Sequence, residues 1–209
     1  MLIVVIGGSG SGKSEYAENL AVRLEAGRKL YIATMYPWDE ESKKRIHRHQ
    51  AMRAKKKFDT LECFFDLNSG IKKYWNETTE HKANTAFLDC MSNLVANEMY
   101  CDGGYGSKKT DTVSLVESVL SGIDLLCQRF EHVVLVSNDV FTDGVVYDEE
   151  MQSYLKHLGE INQGIVERAD LVVEVVCGIP ICHKGEVKFK KLQLSNTGGF
   201  QYYNGGNEE

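Results

Sequence analysis

The chain has 209 residues, of which 43% are hydrophobic and 26% charged, a balance typical of a globular domain rather than of a disordered or fibrous protein. Its formal net charge of −6 disfavours non-specific binding to nucleic acid, which needs a basic surface. No apolar stretch approaches the roughly 20 residues of a membrane span, and no signal-peptide pattern is present, so we expect a cytoplasmic protein.

Five short apolar runs alternate with helical patterns along the chain. The runs predict buried strands at residues 2–6, 30–34, 85–89, 133–137 and 171–176. Helical spacing predicts helices at residues 13–26, 38–54, 112–130 and 148–169, with one more near 64–75. This alternation indicates an α/β fold with a mainly parallel central sheet and helices on both faces.

The C-terminal part departs from this alternation. Residues 1–182 are predicted to form a single domain, and residues 183–209 an extension. Within the extension, 186–194 has a pattern compatible with a strand, and a frayed tail follows. Residues 101–110 are interpreted as a mobile loop. The six cysteines show no C-x-x-C spacing, which favours free thiols over a zinc site.

A glycine-rich stretch, "GGSGSGKS", follows the first predicted strand and precedes the first predicted helix. It fits the pattern G-x-x-x-x-G-K-[ST], in which backbone amides surround phosphate oxygens, the lysine reaches the terminal phosphates and the last hydroxyl binds Mg²⁺. The predicted phosphate-binding residues are Gly7, Gly8, Ser9, Gly10, Ser11, Gly12, Lys13 and Ser14, with Ser14 as the metal ligand and Lys13 as a catalytic residue. Together with the alternating strands and helices, this loop predicts a P-loop NTPase-like α/β fold.

A carboxylate at the end of another strand would complete such a site, because ligands of parallel α/β sheets bind at the carboxyl ends of the strands. Asp89 ends the predicted strand 85–89 and is a candidate for holding the metal through water. The alternative is that Asp89 is a helix N-cap or a turn residue. Asn138 and Asp139 follow another predicted strand and carry the same ambiguity.

The predicted helix at 38–54 is basic and contains histidines. Arg45, His49 and Arg53 recur every four residues and would share one face of this helix. The neighbouring positive charges disfavour a protonated His49, so that its ring nitrogen could attack phosphorus. The competing interpretation is a solvated basic surface, which is what charge runs usually form.

Several elements together carry a resemblance to a known family. The order of "GGSGSGKS", "YIAT", "RIHRH", "TLEC", "FLDCMSNLVANEM" and "CGIP" resembles the bifunctional adenosylcobinamide kinase/adenosylcobinamide-phosphate guanylyltransferases of cobalamin biosynthesis. The resemblance implies phosphorylation of adenosylcobinamide, and then transfer of GMP from GTP to that phosphate through a guanylylated histidine. It assigns that histidine to His49, with Arg45 supporting it. It also implies nucleotide contacts at Ala33, Thr34, Met35, Gln50, Ala51, Met52, Arg53, Glu62 and Asp89.

The phosphate loop predicts Mg²⁺ as a cofactor. The resemblance further implies GTP and/or ATP as substrates, a corrinoid acceptor and a homo-oligomer, with a trimer as the expected form. Two other functions remain open from the residues alone. One is a P-loop small-molecule kinase without guanylyl transfer. The other is a non-catalytic nucleotide-binding module.

Overall fold

A seven-stranded sheet forms the centre of the protein, in a computed structural model that describes residues 1–24, 27–37, 40, 56–77, 83–107, 114–140 and 144–194. The strands lie in the order β3-β2-β4-β5-β1-β6-β7. The first six strands are parallel, and β7 runs antiparallel to β6 at one edge. Their bounds are β1 Leu2–Gly7, β2 Lys29–Ala33, β3 Phe58–Glu62, β4 Thr85–Asp89, β5 His132–Asn138, β6 Leu171–Val176 and β7 Ile179–Lys184.

Six helices of the described residues cover the sheet. Two of them begin at side-chain caps: Ser114 forms a capping box with Glu117, and the Asp148 carboxylate accepts a hydrogen bond from the Met151 amide. Among these helices none has the length and apolar character to cross a membrane. Their bounds are α1 Lys13–Leu24, α2 Leu67–Glu77, α3 Met91–Tyr100, α4 Leu115–Arg129, α5 Glu149–Arg168 and α6 Glu186–Leu194.

The central strand β1 is buried on both faces. Leu2 and Val4 pack into the apolar cluster on one side of the sheet, and Ile3 and Val5 pack into the cluster on the other. All four side chains are at most 3% exposed. This double burial explains why β1 is an unbroken apolar run rather than an alternating pattern.

The sequence predicted the centre of the fold well. All five predicted strands are present, and the mainly parallel α/β architecture is confirmed. Helices are found at four of the five predicted places. The fifth, at 38–54, lies outside the described residues apart from Glu40. The edge strands β3 and β7 and the helix α3 were not predicted.

The expectation of a strand at 186–194 was wrong, because this segment is the helix α6. The side chains that pack against the sheet are Phe189 and Leu192, which lie one helical turn apart. An i, i+4 ion pair, Glu186 with Lys190 at 2.7 Å, supports the helix on its exposed side. The division into a domain of 1–182 and an extension stays a prediction.

Candidate active site

The phosphate loop leaves β1 at its carboxyl end and leads directly into α1. A Cβ atom at Gly7 would come within 2.6 Å of both the Val175 carbonyl oxygen and the Ser11 hydroxyl, so no larger residue fits there. Gly12 has φ +89°, which side chains disfavour. The loop thus depends on glycine for space at one position and for backbone conformation at the other.

Lys13 is the first residue of α1, and its side chain turns back over the loop. The residue is 9% exposed, and Nζ donates a hydrogen bond to the Gly8 carbonyl at 3.1 Å. The amine is therefore held at the loop itself, beside the positive end of the α1 dipole. A phosphate bound there would meet the ammonium group, the loop amides and the helix N-terminus together.

The turn between β6 and β7 supports the phosphate loop from one side. The Gly178 amide donates a hydrogen bond to the Ser11 carbonyl at 2.8 Å. Cys177 and Gly178 both have positive φ, of 50° and 80°, the pattern of a two-residue type I′ hairpin turn. Sequence reasoning missed this support, and the signal available was the glycine of "CG" between two apolar runs.

Ser14 and Asp89 lie together beside the loop. The Ser14 hydroxyl donates a hydrogen bond to Asp89 Oδ1 at 3.3 Å. Asp89 is the last residue of β4, and the N-cap of α3 is Cys90, so Asp89 is not the helix cap that was considered as the alternative. A hydroxyl and a carboxylate side by side are the hard oxygen donors that suit Mg²⁺. The residues present therefore fit a magnesium ion.

The ends of β2 and β3 are fixed by buried polar contacts. Thr34 is fully buried, its hydroxyl donates to the Cys90 carbonyl at 2.8 Å, and it accepts from the Cys90 amide at 2.8 Å. Asn97 of α3 donates from Nδ2 to the Thr34 carbonyl at 2.7 Å and to the Phe64 carbonyl at 2.9 Å. Because Thr34 is fully buried and its side chain and carbonyl are both engaged internally, no group of Thr34 is exposed to a nucleotide in this structure.

Asn97 was not singled out from the sequence. The segment "MSNLVANEMY" follows the predicted strand 85–89, and Asn97 stands in it where an apolar residue would be expected to face the core. This polar residue at a core position is the signal that could have identified it. The neighbouring Glu98 is also buried and accepts hydrogen bonds from the Asp66 and Tyr105 amides at 2.6 and 2.9 Å. Both side chains satisfy backbone groups of loops at the carboxyl edge of the sheet.

The other predicted contacts divide into two groups. Ala33 and Met35 lie at the carboxyl end of β2 and are partly exposed, and Glu62 ends β3 and is exposed. They share the carboxyl edge of the sheet with the phosphate loop. The remaining predicted site residues lie outside the described residues: Arg45, His49, Gln50, Ala51, Met52 and Arg53.

A glycine loop at the end of a central parallel strand, with a lysine, a hydroxyl and a carboxylate converging beside it, defines a P-loop nucleotide-binding α/β protein. The family model for cobinamide kinase / cobinamide phosphate guanyltransferase (CobU) matches residues 3–182. The chain belongs to this family of enzymes.

Curated relatives are similar over nearly their whole length. The bifunctional adenosylcobalamin biosynthesis protein CobU of Salmonella typhimurium is 32% identical, over 87% of this chain and 98% of the relative. CobP of Pseudomonas aeruginosa, which carries the same description, is 31% identical over 88% of this chain and 97% of its own. CobU of Escherichia coli is 30% identical over 87% and 98%.

Solved structures with other functions align more loosely. A KaiC-like protein from Pyrococcus horikoshii has a TM-score of 0.47 at 11% identity, covering 83% of this chain and 71% of its own. The RadB recombinase has a TM-score of 0.43 at 13% identity, covering 83% and 73%.

Proposed function

We propose that this protein phosphorylates adenosylcobinamide and then transfers GMP from GTP to adenosylcobinamide phosphate through a guanylylated His49, releasing pyrophosphate. The observation that carries the proposal is the phosphate loop with Lys13 held at it and Ser14 paired with Asp89 beside it, in a chain that belongs to the cobinamide kinase / cobinamide phosphate guanyltransferase family.

The loop serves guanylyl transfer by holding the leaving group. GTP binds with its β- and γ-phosphates against the amides of Gly7–Ser14, and His49 attacks the α-phosphorus. Lys13 stabilises the negative charge that develops on the departing pyrophosphate. Removal of one electrostatic contact of this type costs about 3 kcal/mol of transition-state stabilisation. Mg²⁺ held by Ser14 and, through water, by Asp89 would neutralise further phosphate charge.

The role of His49 is supported by its neighbours in sequence and by the course of the chain. Arg45 and Arg53 flank it at helical spacing, which keeps the imidazole neutral and provides cations for phosphate oxygens. The chain that carries these residues leaves the sheet after β2, at the same carboxyl edge as the phosphate loop. It rejoins the described residues at Lys56, whose ammonium forms an ion pair with Glu18 of α1.

For the kinase step, the loop presents the γ-phosphate to the hydroxyl of the aminopropanol arm. Asp89 and Glu62 are the candidate bases. Asp89 lies on β4, two strands from β1, and Glu62 lies on β3, four strands from β1. At a strand spacing of ~4.8 Å these separations are roughly 10 and 19 Å. The topology therefore favours Asp89 near the γ-phosphate and leaves Glu62 for the nucleoside end.

Exposure of the purified protein to GTP labelled at the α-phosphate tests the covalent step. We expect one acid-labile GMP per chain, localised to His49 by mass spectrometry and absent from His49→Ala. His47→Ala, two residues away, is the matched control and should keep the label. Stable label on His49→Ala, or no label on the wild-type protein, would overturn the histidine mechanism. A protein that transfers the γ-phosphate but never becomes guanylylated would be a kinase alone.

The oligomeric state and the nucleotide donors are also part of the proposed function. The resemblance implies a trimer with GTP and/or ATP as phosphate donors. The net charge of −6 favours a protein without a nucleic-acid partner, and the sequence pattern favours a cytoplasmic location. Light scattering coupled to size exclusion measures the oligomeric state.

A further inference from the structure

A cavity of about 390 Å³ lies between α3 and α5, and none of the site residues predicted from the sequence lines it. Ala96 and Tyr100 line it from α3, and Tyr147, Met151 and Tyr154 line it from the start of α5 and the residues before it. We call it the tyrosine pocket. Its volume is within the usual range of ~300–1,000 Å³ for small-molecule sites.

The tyrosine pocket adjoins the phosphate site through two residues. The Tyr154 hydroxyl, in the pocket, donates to the Ser92 carbonyl at 3.2 Å. Asn138 donates from Nδ2 to the Ser92 hydroxyl at 2.7 Å, and Asn138 is the β5 partner of Gly7, where the phosphate loop begins. Ser92, in the first turn of α3, and Asn138, at the carboxyl end of β5, therefore connect the pocket to the start of the phosphate loop.

The pocket has an aromatic lining with acidic residues beside it. Burial raises the pKa of Tyr154 to about 12, and burial next to Glu150 and Asp148 raises the pKa of Tyr100, so both phenols stay neutral at physiological pH. Glu150 and Asp148 also line the cavity. Aromatic faces bind apolar ring edges, and carboxylates accept hydrogen bonds from amide N–H groups and attract cations.

Apolar side chains remain accessible at the mouth of the pocket. Tyr100 is 44% exposed and Met151 is 39% exposed. Val145 and Val146, immediately before Tyr147 in the chain, are 58% and 94% exposed. Exposed apolar side chains in and beside a cavity are typical of a binding site.

We propose that the tyrosine pocket binds the corrinoid acceptor, taking an apolar edge of its macrocycle together with amide side chains. The reacting arm then extends past Ser92 and Asn138 to the phosphate loop. This inference rests on the proposed function, which supplies the acceptor. A corrinoid matches the pocket in three ways: it is a large, mainly apolar ring system, it bears amide donors for the carboxylates, and its cobalt centre carries positive charge.

The acceptor in the tyrosine pocket would lie apart from the predicted nucleotide contacts. The predicted nucleotide contacts Ala33, Met35 and Glu62 follow β2 and β3, whereas the tyrosine pocket lies between the helices that follow β4 and β5. Changes in the pocket should therefore act on the acceptor and not on the nucleotide. A guanine base in the pocket would give the opposite result.

The test compares three variants with the wild-type protein. Ala96→Phe fills the pocket without removing a polar contact, whereas Tyr100→Ala and Met151→Ala remove apolar lining. In steady-state kinase assays we expect each to raise the KM for cobinamide about tenfold and to leave the KM for the nucleotide within twofold. Equilibrium dialysis of dicyanocobinamide, a coloured probe, should show the same loss of affinity without turnover. Val187→Ala, on α6 and 69% exposed, is the matched control and should change neither value.

The outcomes distinguish the pocket from the proposed function. Wild-type protein that neither binds nor phosphorylates cobinamide would refute the proposed function. Wild-type protein that binds cobinamide, with pocket variants that keep its affinity within twofold, would overturn the pocket alone. A rise in the KM for the nucleotide in step with that for cobinamide would assign the pocket to the base instead. If Tyr100→Ala fails to fold, Ala96→Phe and Met151→Ala still decide the question.

Discussion

At the scale of single residues, Lys13 is where the two proposed reactions meet. Its ammonium is held at the Gly8 carbonyl, in the loop that would bind the γ-phosphate in one reaction and the leaving pyrophosphate in the other. In both cases negative charge grows on oxygens next to this amine. A single phosphate site that serves two reactions should therefore fail in both when the amine is removed.

We predict that Lys13→Ala lowers kcat/KM for cobinamide phosphorylation and for guanylyl transfer together, each by roughly 10²–10³-fold, as for loss of one preorganised electrostatic contact. Rates of ADP or GDP release and of pyrophosphate release, measured on one preparation, give the two values. Lys56→Ala is the control, because Lys56 also contacts α1 but pairs there with Glu18 and not with the phosphate loop. Loss of one reaction with the other intact would mean two separate phosphate sites.

The residues of the phosphate loop were predictable because their chemistry is local. The glycines, lysine and serine lie within eight positions of one another, and the pattern itself implies the turn. The contact between Ser14 and Asp89 spans 75 residues, and the sequence offered only the rule that acidic residues at strand ends meet at one edge. Their role with a metal stays a prediction.

At the scale of elements, α3 connects the ends of two strands. Asn97 uses both protons of one amide on the Thr34 and Phe64 carbonyls, which follow β2 and β3. Removing the amide leaves two carbonyls without these bonds in a site where Asn97 itself is 3% exposed. Asn97 is thus a positioning residue for the loop at Ala33–Met35.

We predict that Asn97→Ala destabilises the fold by about 2 kcal/mol, because two carbonyls in a buried site lose their donor. For a chain of this size that corresponds to a fall in Tm of roughly 6 °C. The KM for the nucleotide should rise several-fold with a smaller change in kcat, since the loop after β2 is displaced and Lys13 is not. Asn93→Ala, one turn earlier on α3 and partly exposed, is the comparison. Loss of stability with no change in KM would make Asn97 purely structural.

The elements that the sequence did not predict share a physical reason. The strand β3, "FDTLE", and the strand β7, "IPICHK", lie at the two edges of the sheet and are half exposed, so neither has an apolar run. The helix α3 buries Asn97 and Glu98, which interrupt its apolar face. Long apolar runs indicate buried segments, and these three segments have none. Their positions depend instead on hydrogen bonds to backbone partners that lie far away in the sequence.

At the scale of the whole molecule, Asp170 joins the first and the last of the described elements, β1 and α6. Its carboxylate accepts a hydrogen bond from the Leu2 amide at 2.9 Å and a charged hydrogen bond from Lys188 of α6. The bonds from Lys188 and from Leu2 hold the pKa of Asp170 below its ordinary value of 3.8. One side chain therefore ties β1 and α6 to the start of β6.

Since the pKa is lower in the folded state, this carboxylate stabilises the fold above pH 3.8 and loses that contribution as the pH falls through the folded value. We predict that Asp170→Asn lowers the free energy of unfolding at pH 7 by about 0.5–1 kcal/mol, a small figure because solvent screens a partly exposed pair. The difference from wild type should shrink in urea titrations below pH 3.8. Glu160→Gln, in the exposed pair with Lys156 at 3.9 Å, should change stability less. A difference that is constant with pH would exclude the ionised carboxylate as its source.

The position of β1 in the sheet also has a consequence for how the chain folds during translation. This strand is synthesised before the other strands of this sheet, yet its neighbours β5 and β6 begin at His132 and Leu171, and the turn that supports the phosphate loop contains Gly178. At translation rates of roughly 5–20 residues per second, β6 is synthesised about 10–30 s after β1. The nascent chain therefore cannot complete its nucleotide site before nearly all of the sheet has been made, and capture of GTP by a growing chain would mark the end of folding rather than its beginning.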